Sequence, residues 1–299
     1  MTPVQVREAS RAAPARWSPA PAVFVVLWSS AFIAGIPGVL AAPPLLLMFA
    51  RFAVAGVLLA GYALVRRAPW PRGRTLAHVA LSGLLIQAVQ FGAFYSALGA
   101  GLPAAVVSLV QGLNPVVIVL ASRVLGERIG AGQWAGFALG AAGVVLAVAD
   151  RVSLSPLGVA LCLAGLAGLS AGTLYQQRFV PRMHALTGTA VQLLVSAPAV
   201  GLACLAAGPV RVSDWSAFGL SVAWMALVNS IAAFILLNRM LLRSPASRVS
   251  TVFFLTPAVT AVLAWLLAGQ PLHPLAIAGL VLGGCGVLLA NLSTRTRVI

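Results

Sequence analysis

Apolar stretches of about 20 residues recur along the whole chain, and they constrain its fold more than any other feature. The first of them, from Pro21 to Leu40, contains no charged residue. A helix needs roughly 20 apolar residues to cross the hydrocarbon core of a bilayer. Hydrophobic residues make up 61% of the 299 positions and charged residues only 8%, with a mean hydropathy of +1.03. This composition lies outside that of soluble globular proteins, so the sequence predicts an all-α polytopic protein whose main partner is the lipid bilayer.

The apolar stretches and the turn signals between them predict ten transmembrane helices. They cover residues 21–41, 44–65, 76–98, 102–123, 131–149, 154–176, 186–207, 215–238, 246–268 and 272–291. Little of the chain remains for a separate soluble domain. We therefore expect the function to reside within the helix bundle.

Charged residues lie almost entirely between the predicted spans. All 19 basic residues are arginine, and sixteen of them fall on one side of the ten-span topology. These sixteen are Arg7, Arg11, Arg16, Arg66, Arg67, Arg72, Arg74, Arg123, Arg128, Arg178, Arg182, Arg239, Arg243, Arg248, Arg295 and Arg297. Because positive loops stay in the cytoplasm, both termini are predicted to be cytoplasmic in a multi-pass protein of the bacterial inner membrane. The net charge of +15 thus reflects topology, and we expect no nucleic-acid partner.

Two stretches of the chain are similar to each other, LPAAVVSLVQGLNPVVIVLASRVLGE and SPASRVSTVFFLTPAVTAVLAWLLAGQ. The matching pairs are Pro103 and Pro245, Ser108 and Ser250, and Pro115 and Pro257 at an offset of 142, then Gly136 and Gly279, Gly140 and Gly283, and Gly143 and Gly286 at an offset of 143. Each half would contain five spans, so the second half would enter the membrane in the opposite sense to the first. We therefore predict an inverted repeat of two units, residues 1–150 with helices 1–5 and residues 151–299 with helices 6–10.

Each copy places a proline inside an apolar span. Pro115 and Pro257 cannot donate a backbone hydrogen bond, and each displaces the carbonyl four residues earlier, on Gln111 and Phe253 respectively. A freed carbonyl at membrane depth needs a side chain, another helix or a water-filled cavity. The prolines therefore indicate either a structural kink or part of a central cavity. Their presence in both copies favours the cavity, because transporters with inverted repeats bind substrate at interrupted helices near the midplane.

Several motifs together resemble a known family. They are LWSSAFIAG (27–35), ARF (50–52), SLVQGLNPV (108–116), VLGERI and WAGFALGAAGVVL, followed later by STVFFLTPAVTAVLAWLLAGQ and IAGLVLGGCGVLL. Over nearly the whole chain this pattern is similar to the drug/metabolite transporter superfamily, EamA type, and most of all to its YddG-like amino acid exporters. The resemblance implies two inverted EamA-type repeats around a central cavity lined mainly by the first, third and fourth helices of each repeat. One departure is Gln270, which stands where the first repeat has Glu127.

Polar and aromatic side chains form stripes inside the predicted spans. The candidate substrate-binding residues are Trp28, Ser30, Gln87, Gln90, Phe91, Tyr95, Gln111, Asn114, Tyr175, Gln176, Asn229 and Phe253. Polar groups are unfavourable in lipid and usually turn inward, where they bind substrate or join helices by hydrogen bonds. Both interpretations remain open for any single residue, but for the group of Gln87, Gln90, Gln111 and Asn114 we favour a substrate site. Gln111 aligns with Phe253, so one wall of the cavity would be polar and the other aromatic.

Away from the span ends, where Arg123 and Arg248 lie, the predicted spans contain one charged residue, Arg51 in the second helix, and they contain no Asp, Glu or Lys. A phosphorylated sugar or nucleotide would require several cationic partners, and a polycation would require carboxylates. A neutral or zwitterionic small molecule, such as an amino acid, fits better. Arg51 could bind a carboxylate, but the resemblance puts the second helix outside the cavity ring, so we expect a structural role.

The absence of a carboxylate from the spans favours facilitated movement by alternating access over proton antiport. Export of other amphipathic metabolites or drugs by proton antiport, and a channel, are the alternatives. The sequence has no converging cluster of nucleophile, base or metal ligands. We therefore expect neither an enzyme nor a cofactor or metal site, and the chain could act as a monomer.

Overall fold

The computed structural model describes residues 19–114, 117–118, 131–149, 155–180, 183–236, 240, 255–272 and 274–295. Its helices, in chain order, are α1 Ala20–Ala41, α2 Pro44–Val65, α3 Gly73–Gly99, α4 Ala104–Gly112, α5 Ala131–Ala149, α6 Pro156–Phe179, α7 Ala185–Ala207, α8 Trp215–Leu236, α9 Thr256–Ala268 and α10 Pro274–Arg295. Within these ranges there is no strand, and the six helices α1, α2, α3, α6, α7 and α8 are long and apolar enough to cross a membrane. The expected polytopic helical membrane protein is confirmed. The full count of ten spans stays a prediction.

The ends of several helices follow from local sequence chemistry. Pro44 opens α2, where its fixed φ suits a first helical turn. Ser155 caps α6 by accepting a hydrogen bond from the Gly158 backbone nitrogen at 3.3 Å. Gly269 ends α9 with a φ of +62°, a left-handed conformation that glycine adopts without steric cost.

Asp214 caps the N-terminus of α8. Its Oδ1 accepts hydrogen bonds from Ser216 Oγ at 2.6 Å, from the Ser216 backbone nitrogen at 2.9 Å and from the Ala217 backbone nitrogen at 3.0 Å. These hydrogen bonds lower the pKa of the Asp214 carboxyl below its ordinary value, and the bond from the Ser216 hydroxyl has the largest effect. The cap satisfies backbone donors that a helix start leaves unpaired.

Two helices contain a π-helical segment, Leu84–Val89 in α3 and Met225–Ala233 in α8. The two segments begin 141 residues apart, close to the offset of the sequence repeat. Because a π segment shifts the backbone pairing, Ser230 Oγ donates to the Met225 carbonyl at 3.1 Å. π-helical segments are rare in proteins, and those that do occur are often found at functional sites.

Helices α5 and α10 pack through backbone contacts between glycines. A Cβ placed on Gly143 would lie 2.6 Å from the Gly279 carbonyl oxygen and closer still to the Gly283 nitrogen. A Cβ on Gly286 would meet the Gly136 carbonyl oxygen and the Gly140 nitrogen in the same way. In the repeat, Gly143 matches Gly286, and Gly279 and Gly283 match Gly136 and Gly140. The contacts of Gly143 are therefore the same as those of Gly286 with the two repeats exchanged, as a twofold axis between the helices requires. The pairing also shows that α5 and α10 run antiparallel.

A second pair, α2 and α7, repeats this reciprocal arrangement. A Cβ on Gly56 would lie 3.0 Å from Leu194 Cδ2, and one on Gly201 would lie 3.0 Å from Phe49 Cδ2. Leu194 and Gly201 lie 145 residues after Phe49 and Gly56 respectively, so each of the two contacts is the counterpart of the other. This pair is therefore antiparallel as well and has its own local twofold relation.

Pro257 is buried in the first turn of α9, where its Cγ would lie 3.5 Å from a Cβ on Gly112 of α4. Helices α4 and α9 therefore meet at this proline, and it does not face lipid. Pro115 and Phe253 lie outside the described residues, as does the carbonyl that Pro257 was expected to displace.

Candidate functional site

A small cavity lies between α1, α2, α3, α4 and α8. It is lined by Trp28, Ala31, Phe32, Arg51, Phe91, Gln111 and Asn229, which we call the central cavity. Arg51 is the eighth residue of the 22-residue α2, so the cavity lies at some distance from the end of that span.

Arg51 reaches the central cavity as a buried cation, only 5% exposed. Its Nε donates to Ser230 Oγ at 3.1 Å, and its guanidinium carbon lies 4.7 Å from the centre of the Phe91 ring. Nη1 is buried and has no hydrogen-bond partner among the described residues. Asp214, the acidic residue within the described ranges, lies at the exposed start of α8.

Arg51 thus lines the central cavity, although the resemblance puts the second helix outside the cavity ring. Its side chain extends from α2 far enough to stack on α3, and the π segment of α8 presents the hydroxyl that holds Nε. An arginine stem can cross such a distance while its charged head makes the polar contacts.

Two amides complete the polar part of the central cavity. Asn229 in α8 donates through Nδ2 to the Leu27 carbonyl and lies 3.4 Å from Ser30 Oγ. Asn229 Oδ1 and Gln111 Oε1 are buried and have no partner among the described residues. Leaving a buried polar atom unpaired costs about 1–3 kcal/mol. Three such atoms on residues that line one cavity indicate a place where a ligand or water would complete the hydrogen bonding.

Aromatic side chains form the remaining wall. Tyr95 donates to the Ala31 carbonyl at 2.9 Å and stacks against Phe32 with ring centres 6.3 Å apart. Phe52 meets Phe91 edge to face at 6.3 Å. Tyr95 thus supports the central cavity from behind rather than lining it.

Other candidate residues hold helices together outside the central cavity. Ser30 accepts from Trp224 Nε1 at 2.9 Å and donates to the Leu27 carbonyl at 2.6 Å. Asn114 accepts from Ser170 Oγ at 2.9 Å, which joins α4 to α6. Gln87 is half-buried in the π segment of α3, and its side chain is not among those lining the cavity.

Gln90 is fully buried where α3 packs against α6, and its Oε1 has no partner among the described residues. A Cβ on Gly165 of α6 would lie 3.1 Å from the Gln90 carbonyl oxygen. The tight backbone contact explains why this part of α3 is inaccessible.

Tyr175 and Gln176 belong to a separate polar cluster formed by α3, α6 and α7. The Tyr175 hydroxyl and His78 Nδ1 are 2.7 Å apart. Gln192 Nε2 donates to Gln176 Oε1 at 2.9 Å and to Ser82 Oγ at 3.0 Å. Polar side chains within spans are used here as interhelical hydrogen bonds.

The structure thus brings Trp28, Phe91, Gln111 and Asn229 together in the central cavity and leaves the other described candidates around it. Three lining residues were not among the candidates, Ala31, Phe32 and Arg51. A signal for the first two was available, because Trp28, Ala31 and Phe32 follow the spacing of one helical face. Arg51 carried a signal too, since it was the one charge well inside a predicted span.

The family model of EamA-like transporters matches this chain twice, over residues 20–149 and 156–292. The chain belongs to the EamA-like transporter family. The resemblance to the drug/metabolite transporter superfamily, EamA type, is thereby confirmed. As an EamA protein it is a multi-pass inner-membrane transporter of small molecules and not an enzyme.

Three curated relatives of this EamA protein are informative. An uncharacterized inner membrane transporter, YedA of Escherichia coli K12, is 30% identical over 250 residues, covering 83% of this chain and 81% of the relative. A probable amino-acid metabolite efflux pump of the same organism is 27% identical, covering 91% and 94%. A probable terminal-alkyne amino-acid exporter of Streptantibioticus cattleyicolor is 31% identical, covering 91% and 92%.

A crystal structure of another protein has a similar fold. It superposes with a TM-score of 0.63 at 24% identity and covers 93% of this chain and 97% of the other. The likeness concerns the fold of EamA proteins alone.

Proposed function

We propose that the protein exports small neutral or zwitterionic metabolites, above all amino acids with apolar or aromatic side chains, by alternating access through the central cavity. The observation that carries this proposal is the chemistry of the lining. Among the described residues, Arg51 Nη1 is a cationic donor without a partner, while Gln111 Oε1 and Asn229 Oδ1 are acceptors without one. A zwitterion presents the complementary charge to each. Two of the three relatives above are named for amino-acid export, which agrees with this substrate class.

The aromatic wall supports a substrate with an apolar part. Trp28, Phe32 and Phe91 line the same cavity as the polar groups, so the two ends of an amphipathic solute would each find a matching surface. The described lining comes from five helices of one chain, which supports a functional monomer.

Alternating access is supported by the antiparallel helix pairs. Both α5 with α10 and α2 with α7 have reciprocal contacts, which is the local signature of two halves related by a twofold axis perpendicular to the helices. Transporters built from inverted repeats move one repeat against the other around a fixed central site. These pairs support two five-helix units, residues 1–150 and 151–299, and a total of ten spans. The arginine asymmetry remains the support for cytoplasmic termini.

The lining also supports facilitated movement rather than proton antiport. The described residues that line the central cavity include no carboxylate and no histidine. His78 contacts Tyr175, and His184 caps the start of α7, so both lie apart from the lining. A proton-coupled carrier needs a titratable group along its path.

Counterflow with purified protein in liposomes tests the proposal. Labelled aromatic and aliphatic amino acids should exchange in a saturable way, whereas sugar phosphates should not. Gln111→Ala should lower exchange of every substrate, because it removes a lining acceptor. Gln87→Ala is the matched control, since it makes the same chemical change in a half-buried residue outside the lining.

Two results would refute the proposal. One is exchange of no amino acid in the panel above the level of empty liposomes. The other is equal loss of exchange in the two glutamine variants, which would show that the central cavity has no special part in transport.

A further inference from the structure

Resting on the proposed function, we propose that Arg51 binds the carboxylate of the transported solute and so restricts the substrates to carboxylates. In this arrangement Gln111 Oε1 and Asn229 Oδ1 accept hydrogen bonds from the ammonium group of an amino acid. The transporter would therefore reject an amine or an alcohol that has the same side chain but lacks the carboxylate.

The first support is the state of the guanidinium. Arg51 is buried within a helix that is otherwise apolar, and Nη1 has no protein partner among the described residues. Charged side chains inside membrane spans are costly and usually mark substrate or ion pathways. An arginine kept only for structure would have its donors satisfied by the protein.

The second support is the way in which the guanidinium is held. Ser230 Oγ accepts from Nε at 3.1 Å and in turn donates to the Met225 carbonyl at 3.1 Å. Phe91 lies under the guanidinium at 4.7 Å. These contacts fix one edge and one face of the planar group while Nη1 stays unpaired on a residue that lines the central cavity. A guanidinium fixed in this way is preorganised for a carboxylate, which it binds with planar, directional hydrogen bonds.

The third support is the distribution of acceptors. Gln111 and Asn229 contribute oxygens without partners to the lining, so the cavity offers acceptors as well as a donor. A simple anion such as chloride would use only the donor. An α-amino acid uses both kinds of group.

The experiment measures competition against counterflow of labelled L-phenylalanine in proteoliposomes. The competitors are unlabelled L-phenylalanine and L-phenylalaninol, which keeps the ring and the ammonium group but has no carboxylate. We expect wild-type protein to prefer phenylalanine at least tenfold, the factor that corresponds to losing one charge-assisted hydrogen bond. Arg51→Gln should remove this preference, and Arg51→Lys should keep part of it, because the charge remains but the planar fork is lost.

Ser230→Ala tests the positioning of the guanidinium. It leaves the charge in place but removes the acceptor of Nε, so the apparent KM for phenylalanine should rise and the preference over phenylalaninol should fall severalfold. Melting temperature provides a readout that separates binding from structure. No carboxylate among the described residues pairs with the Arg51 charge, so the melting temperature of Arg51→Gln should stay unchanged or rise, whereas breaking a structural ion pair would lower it.

The outcomes distinguish the inference from the function on which it rests. If wild-type protein exchanges no phenylalanine, the proposed function fails. If it exchanges phenylalanine but does not discriminate against phenylalaninol, or if Arg51→Gln keeps the full preference, the proposed function stands and the role of Arg51 is refuted. If Arg51→Gln does not fold, the test rests on Arg51→Lys and Ser230→Ala. Lowered melting temperatures of these two variants with an unchanged preference for phenylalanine over phenylalaninol would also refute that role.

Discussion

The reciprocal glycine contacts between α5 and α10 lead to a quantitative prediction. In Gly143→Ala the new Cβ would lie 2.6 Å from the Gly279 carbonyl oxygen, whereas ordinary contacts begin at 3.4 Å. The neighbours are backbone atoms, so a side-chain rotation cannot relieve the clash and the two helices must move apart by about 1 Å. Gly286→Ala creates the same clash with Gly136.

The size of the effect follows from two opposing terms. Overpacking costs about 1–3 kcal/mol, and alanine gains about 0.8–1.0 kcal/mol over glycine inside a helix. Each of the two variants should therefore lose up to about 2 kcal/mol. Gly284→Ala is the matched control, because a Cβ there meets nothing within 4 Å, and it should be neutral or slightly stabilising. The double variant Gly143→Ala/Gly286→Ala should lose less than the sum, since one separation of the helices relieves both clashes.

The assay is unfolding in detergent followed by tryptophan fluorescence. Equal losses for the two single variants and a smaller-than-additive loss for the double variant are the expected results. A large loss for one glycine with no loss for its match would contradict the twofold relation between the helices, and so would full additivity.

Two further predictions concern single hydrogen bonds. Tyr95→Phe removes the hydrogen bond to the Ala31 carbonyl and should lower the free energy of unfolding by about 1 kcal/mol. It should also reduce counterflow, because Ala31 lines the central cavity. Unchanged stability and unchanged counterflow would contradict the supporting role of Tyr95. The lowered pKa of Asp214 means that its cap stabilises the fold fully above the ordinary carboxyl pKa and loses this contribution as the pH falls through the lowered value. Melting temperatures measured across this acidic range should therefore fall more for wild type than for Asp214→Asn, and parallel curves would show that the cap has no such effect.

Much of the helical architecture could be predicted because it depends on the length of apolar stretches. The predicted spans 44–65 and 131–149 coincide with α2 and α5. The third predicted span begins at residue 76, but α3 begins at Gly73, because its first turn is polar and falls outside the apolar stretch. The π segments of α3 and α8 could not be predicted, since they depend on how the backbone adjusts to neighbouring helices rather than on hydrophobic periodicity.

The site was predicted only in part, for a reason that Tyr175 and Asn114 make clear. A polar side chain inside a span can face a cavity or bond to another helix, and both uses require the same residue types. Tyr175 and Asn114 bond to His78 and Ser170, whereas Gln111 lines the central cavity. Periodicity places a residue on a face of its helix, but it does not identify the neighbouring helix. For Arg51 the resemblance gave the position of the helix, which does not determine how far a long side chain reaches.

One measurement tests the central claim most directly, which is that a zwitterion crosses through a cavity whose described lining has no carboxylate or histidine and moves down its own gradient. It is counterflow of labelled L-phenylalanine in proteoliposomes, measured with a proton gradient and again after an ionophore has collapsed it. The account predicts saturable counterflow at the same rate in both conditions. Counterflow that stops when the proton gradient is removed would contradict it.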